Sequence, residues 1–526
     1  MSKILELAEI ARTYIVQNWN SSRVLYSVLC AYGLYKAIYY AFFDRLRNIP
    51  GPFFTRFSSY PTRKALFSGE YTRYLLSLHK KYGPVVRIAP NRLSDSNASD
   101  FKKVMASYKF RKSSTYEIFS RVHQSIFSTR DEEFNRMRRR QVGPAFSQTG
   151  LDSVEYIIDD ICTDTFIKKL NEIIDDGNGS AQFNYFKYFQ NLTADVIGEL
   201  VFGERFHAVE NNGHPITDWV NAAMRNSIIY NSFLPLKILR SLIPSLSAKE
   251  TKLYQFCLDA IKNRQDQIKN GKFNDDRIDI LQMYLVAINS SNNKPLSNNE
   301  LIAEMVTMMV AGVDTTSIIM TWLMTYYMIY PKVYQRVVDE VRENFPKDGH
   351  KIKYKEAREK LPYFVATVYE TMRIKGSTGG TLAREVPKEG VNLSGYYIPQ
   401  GVDIAMFIAG AHEDTQVWGD NLNYNPDRFM GPESKKFKKE ILAFSTGIRI
   451  CPGRNLAWME IFTIIPNLIK NFDLSFPPNS LYGPNILDPN NGNEPLVPKD
   501  ISFATRFPAN PDRDCNLVIT KHISQL

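Results

Sequence analysis

Between Phe444 and Gly453 the chain reads Phe-Ser-Thr-Gly-Ile-Arg-Ile-Cys-Pro-Gly, a loop built around one cysteine, Cys451. Gly447 and Gly453 permit backbone conformations closed to other residues and let the chain approach a flat ligand closely. Pro452 stiffens the turn. Amides beyond the cysteine can donate to its sulfur and keep it a thiolate, the form that binds metal. Arg449 is placed to meet an acidic group on the ligand, and Phe444 to screen the sulfur from water. A lone cysteine is more often buried and inert. The metal-thiolate reading therefore depends on what else the chain carries.

With 526 residues, 44% of them hydrophobic and 13% aromatic, the chain can bury a large core as one oversized or two lobed units. Its five cysteines lie far apart with no CxxC pair, which predicts reduced thiols, a cytosol-facing body and no zinc site. A formal charge of +10 raises nucleic acid as a partner. The basic residues are scattered, however, and no nucleic-acid motif accompanies them, so a membrane lipid surface or an acidic protein fits better.

From Val24 to Phe43 the sequence is nearly all apolar, and its length predicts a membrane-spanning helix with Lys36 reaching toward the interface. A cleaved signal peptide and a helix lying in the membrane plane are the alternatives. Ile49-Pro-Gly-Pro52 then forms a stiff elbow. The boundaries that follow are 1–48 for an anchor and hinge and 49–526 for the catalytic body. Lys81 to Ser94 reads as two short strands around a Pro-Asn turn, and Arg111 to Phe127 as an irregular aromatic loop. Arg136 to Arg140 holds four arginines in five residues, which by itself is a solvated basic face.

Ser297-Asn-Asn-Glu300 is a capping box, and the apolar helix behind it is expected to run to about Tyr330. Its middle carries Ala311-Gly-Val-Asp-Thr-Thr316. A glycine inside a helix costs about 1 kcal/mol relative to alanine, and a buried Asp-Thr pair costs more unless hydrogen-bonded. Such a cluster points to function, with a structural kink or a second membrane span as the alternatives. Glu370 and Arg373 lie one helical turn apart, and Asn425-Pro-Asp-Arg428-Phe429 follows.

Phe444, Gly447, Arg449, Cys451 and Gly453 together resemble the signature loop of the cytochrome P-450 family, and the other motifs stand in that family's order over roughly residues 45 to 525. The resemblance implies a mainly α fold with a smaller β region, heme b (haem) ligated by Cys451, and Arg449 on a propionate. By the same likeness Arg139 and Arg384 also meet propionates, although Asn135 stands where the family has an aromatic residue or histidine. Asp314 and Thr315 match the family's catalytic acid-alcohol pair on the distal haem face. Glu370, Arg373 and Arg428 match its buried structural triad, and His412 a packing histidine.

The resemblance further implies a monooxygenase of the endoplasmic reticulum membrane, single-pass with its body in the cytosol, drawing electrons from an NADPH-cytochrome P-450 reductase and using O2 on a small apolar substrate. A haem-thiolate isomerase or dehydratase, a fatty-acid hydroxylase and a non-catalytic haem protein are the competing readings. Lys81 to Ser94, Arg111-Lys112-Ser113 and the stretch near Arg139 are similar to the benzoate 4-monooxygenase type. That likeness implies a small aromatic or phenolic substrate whose carboxylate pairs with Lys112 or Arg121, unless both face solvent.

Overall fold

The computed structural model describes residues 9, 13, 21–231, 234–273, 279–289 and 293–523. Helices dominate, and the strands form small sheets to one side, as expected for the mainly α fold. The helix Asn298–Ile329 organises the main core. Its capping box is formed as predicted: the Glu300 amide donates to the Ser297 hydroxyl at 3.4 Å and the Ser297 amide donates to the Glu300 carboxylate at 3.0 Å. The helix runs through Gly312 without a break.

Gly312 has a packing reason. A Cβ there would lie 2.2 Å from Ile197 on the neighbouring helix Tyr185–Phe202, so glycine lets the two backbones approach. The Thr193 hydroxyl bridges the same pair of helices, donating to the Val313 carbonyl at 2.8 Å.

The four-stranded sheet pairs Val85–Ala89 with Arg92–Asp95, then Asp403–Met406, then Leu382–Glu385. The first two strands are the hairpin predicted around Pro90-Asn91. The expected structural triad is in place. Arg373 donates twice to Glu370 at 2.7 Å, and Arg428 Nε reaches the same carboxylate at 3.3 Å. His412 accepts the Leu442 amide at 2.9 Å and packs against Trp418, the packing role expected of it.

The expected N-terminal membrane span requires correction. Among the described residues, one helix is long and apolar enough to cross a bilayer, and it is Asn298–Ile329, an internal helix whose apolar stretch is mostly buried in protein. The N-terminal helix Ser21–Ile38 has 18 residues, about 27 Å at the usual rise. Lys36, Ser27 and the tyrosines dilute its hydropathy, and the chain passes into a π-helical turn at Tyr39–Phe43. Lys36 lies over the Tyr32 and Tyr40 rings, 5.5 and 5.7 Å from their centroids.

Candidate functional site

From Glu300 to Ile329 the central helix is buried except at Thr307, Val310, Ala311, Gly312 and Thr315. Positions 307, 311 and 315 fall four residues apart, so they form one stripe. That stripe lines a cavity of about 710 Å3. Tyr116, Phe119 and Phe127 of the aromatic loop also line it, with Tyr254, Leu382 and Phe503.

The predicted acid-alcohol pair is divided between two faces of this helix. Thr315 faces the cavity, its hydroxyl donating to the Ala311 carbonyl at 2.9 Å. Asp314 is buried and accepts a hydrogen bond from Gln190 Nε2 at 3.2 Å. Burial raises the Asp314 carboxyl to about 7, with the Gln190 bond opposing the rise.

The cysteine loop is closed as expected, and it departs from expectation at Gly453 and in the exposure of Cys451. The Cys451 amide donates to the Phe444 carbonyl at 2.9 Å, closing the loop. The Phe444 ring is tilted against Trp458, with centroids 5.9 Å apart. Gly447 has φ +69°, and a Cβ there would stand 2.2 Å from the Met105 carbonyl oxygen. Gly453 differs, because its φ of −78° is open to any residue. A Cβ at Gly453 would meet no atom within 4 Å, so open space adjoins the loop at that point. Cys451 is solvent-accessible, yet surrounding protein raises its thiol. The Gly453 amide, bonded to the sulfur, and the guanidinium groups of Arg139 and Arg454 oppose that rise.

Cations gather beside this loop. Arg139 Nη1 donates to the Ile450 carbonyl at 2.8 Å. Arg449 Nε donates to Glu132 at 2.9 Å, while its Nη1 is buried with no partner. Arg384, also buried, donates to the Ala383 carbonyl at 3.0 Å and pairs backbone to backbone with Lys112. The Lys112 ammonium lies over the Tyr116 and Phe127 rings at 4.2 and 4.5 Å and donates to the Phe127 carbonyl. Burial and the adjoining charges of Arg384 and Arg449 hold its ammonium well below the usual lysine range. Against three neighbouring cations, Arg384, Arg449 and Arg139, Glu132 is the acid felt at Lys112. A flat metal-bearing ligand with two carboxylates fits this arrangement: thiol below, an orphaned guanidinium nitrogen at the edge, and open space over Gly453. Haem b meets that description.

Asn135 makes no approach to this cluster. Its amide donates to the Ile126 carbonyl at 2.7 Å. Arg138 is buried between Glu300, at 2.6 Å, and Glu304, at 3.3 Å, so it leaves the solvated face on which Arg136 and Arg140 stay exposed. Glu304 also accepts the Ile126 amide at 2.9 Å, and the Ser125 hydroxyl receives Thr307 at 2.8 Å, which ties the aromatic loop to the central helix. Arg121 is held by Glu250 at 3.0 Å and lies over the Tyr254 ring. Sequence reasoning missed the ties of Gln190 and Arg138, and it left Lys112 and Arg121 either on a substrate carboxylate or in solvent. Glu300 and Glu304, four residues apart behind a cap, were the available signal that a buried cation faced them.

Residues 49–491 match the pattern of the Cytochrome P450 family. Cytochrome P450 monooxygenase helB1 of Aspergillus fumigatus is 32% identical over 95% of this chain and 86% of its own length. Cytochrome P450 monooxygenase helB3 of the same organism is 31% identical over 95% of this chain and 98% of its own. The crystal structure of the cytochrome P450DA heme domain superposes with a TM-score of 0.72 over 90% of this chain and 98% of that one, at 18% identity, which is a likeness of fold.

Proposed function

Because the chain belongs to the cytochrome P450 family, we propose that Cys451 would supply the thiolate that holds its haem and that Arg139, Arg384 and Arg449, joined by Lys112, would hold the propionates. The protein is a haem-dependent monooxygenase and heme b is its cofactor. When bound, haem supplies the redox chemistry that activates O2. The observation that carries the residue assignment is the cation cluster beside Cys451, whose mutual repulsion Glu132 offsets in part and an added anion would relieve further.

This chain's own residues then have distinct tasks. The Gly453 amide and the Phe444 loop hold the sulfur of Cys451 in place, and Phe444 is itself braced against Trp458. Thr315 presents a hydroxyl to the cavity and orders water there. Asp314, whose carboxyl titrates near neutrality, exchanges a proton with the interior, and Gln190 fixes its orientation. Adjacent positions on a helix point about 100° apart, so a proton passing between Asp314 and Thr315 requires a carboxyl rotation or a bridging water.

For the substrate we infer an uncharged apolar molecule, with an aromatic one favoured by the rings of Tyr116, Phe119, Phe127 and Phe503. A cavity of about 710 Å3 is roomier than one benzoate needs. Neither cation assigned to a benzoate-like carboxylate is free for it: Lys112 stands among the guanidinium groups, and Arg121 is spent on Glu250. Electrons come from an NADPH-dependent reductase acting from the cysteine side. We place the body, residues 49–526, on the cytosolic surface of the endoplasmic reticulum, supported by exposed Phe42, Phe43, Phe53, Phe54 and Tyr60.

Product formed per NADPH consumed, with purified reductase and a panel of neutral polycyclic compounds, benzoates and fatty acids, tests this reading. Turnover of neutral ring compounds above the acids is expected. Turnover of benzoate alone, or no NADPH-dependent product with any compound, would contradict it.

A further inference from the structure

Behind the cysteine loop lies a second cavity, of about 350 Å3, separate from the one lined by Thr315. Its walls come from the helices Tyr354–Lys360, Pro362–Ile374, Ser434–Glu440 and Arg454–Asn471, and from Phe444, Ser445 and Ile450. Three cations line it: Arg358, Lys438 and Arg454. Among the described residues, no carboxylate lines it with them. Arg358 donates to the Tyr354 hydroxyl at 3.2 Å, and the Lys438 ammonium lies 5.4 Å from the centre of the Tyr369 ring.

One further feature points to a ligand. Tyr369 and Trp458 set their rings 5.0 Å apart on the wall, a surface on which a flat ring can lie. Arg358 and Arg454 are exposed and Lys438 is half-buried, so the hollow is reachable from solvent, and guanidinium forks match phosphate and carboxylate oxygens.

We propose that this cavity binds a small aromatic anion, an aryl phosphate or aryl carboxylate, whose ring lies against Tyr369 and Trp458 and whose charge meets Arg358, Lys438 and Arg454. Because Phe444, Ser445 and Ile450 belong to the loop that carries Cys451, an occupant here touches the sulfur's support without entering the substrate cavity. The site is thus suited to a regulator, and it stands on the geometry of the pocket whether or not the substrate class inferred above is right.

The test uses the full-length holoprotein with the substrate cavity blocked by 4-phenylimidazole, whose occupancy its own spectral shift reports. 1-Naphthyl phosphate is titrated and followed by equilibrium dialysis and tryptophan quenching, with 1-naphthol and inorganic phosphate as ring-only and charge-only arms. One equivalent of 1-naphthyl phosphate is expected to bind, each half-ligand at least tenfold more weakly. The double variant Arg358→Gln/Lys438→Gln should weaken it at least tenfold, and the milder Lys438→Gln about threefold if the double variant loses its haem. Blockade of binding by 4-phenylimidazole, equal binding of 1-naphthol, or unchanged affinity in Lys438→Gln would overturn the proposal. So would variants that raise the reductase KM while leaving 1-naphthyl phosphate binding intact, since the cations would then serve the electron donor alone.

Discussion

Gln190 and Asp314 meet inside the protein, amide to carboxylate at 3.2 Å, on the side of the central helix turned from the cavity. Burial raises Asp314 from 3.8 to about 7. The native state therefore keeps a proton that the unfolded chain releases as pH climbs through this window. Stability from this group is complete below the ordinary carboxylate range, falls as pH rises toward 7 and levels off above, by at most about 4 kcal/mol. Asp314→Asn should flatten that dependence, read as denaturant midpoints of the holoprotein at pH 5 and pH 8. Parallel losses in both proteins would mean that Asp314 is ionised in the native state.

Thr315→Val keeps the shape of the side chain and removes its hydroxyl from the cavity wall. Haem content should be unchanged, while product per NADPH falls several-fold and peroxide release rises. Gln190→Leu should give a milder loss, because it leaves Asp314 in place without its positioning bond. Wild-type coupling in both variants would remove the proton-handling role.

Lys112→Met removes one cation from the group around Arg449 and Arg384. The apoprotein should gain stability by about 1–2 kcal/mol, since a buried and poorly compensated charge is gone. Haem should be lost faster to apomyoglobin in the same variant. A variant whose haem transfer matches wild type would place Lys112 outside the propionate cradle.

How far the site was legible follows from what each residue depends on. Glu370 and Arg373 stand one helical turn apart and Gly447 four residues before Cys451, whereas Arg428 follows Glu370 by 58 residues and was legible by motif order; the folded chain brings the three charged residues together and gives Gly447 its left-handed backbone. The N-terminal span rested on a count of apolar letters. That count does not separate an 18-residue helix rich in tyrosine from a membrane crossing, whereas the 32-residue core helix passes the same test. Lys112 and Arg138 were misjudged for one reason: charge alone does not tell a solvated cation from one buried against another segment. Arg138 meets Glu300, 162 residues away, while the Lys112 backbone is bridged to Arg384, 272 residues away, and its ammonium is covered by Tyr116 and Phe127. Gly453 shows the limit from the other side, because its freedom from contacts has meaning only once the rest of the loop is in place.

The two glycines of the loop give contrasting expectations. Gly447→Ala puts a methyl group against the Met105 carbonyl at a left-handed backbone position, which should cost about 2–4 kcal/mol and reduce the yield of folded protein. Gly453→Ala meets no protein atom. Its apoprotein should melt like wild type while haem affinity falls. If both variants lose apoprotein stability equally, the space beside Gly453 is not reserved for a ligand.

Ligation by Cys451 is the claim on which the rest depends, and the reduced, CO-bound absorption spectrum reports it directly. Wild-type protein should show the red-shifted Soret band of thiolate-bound haem, and Cys451→Ser should lack it while Cys162→Ser and Cys257→Ser keep it. A wild-type Soret band at the position given by histidine ligation, or one that survives Cys451→Ser, would contradict the account.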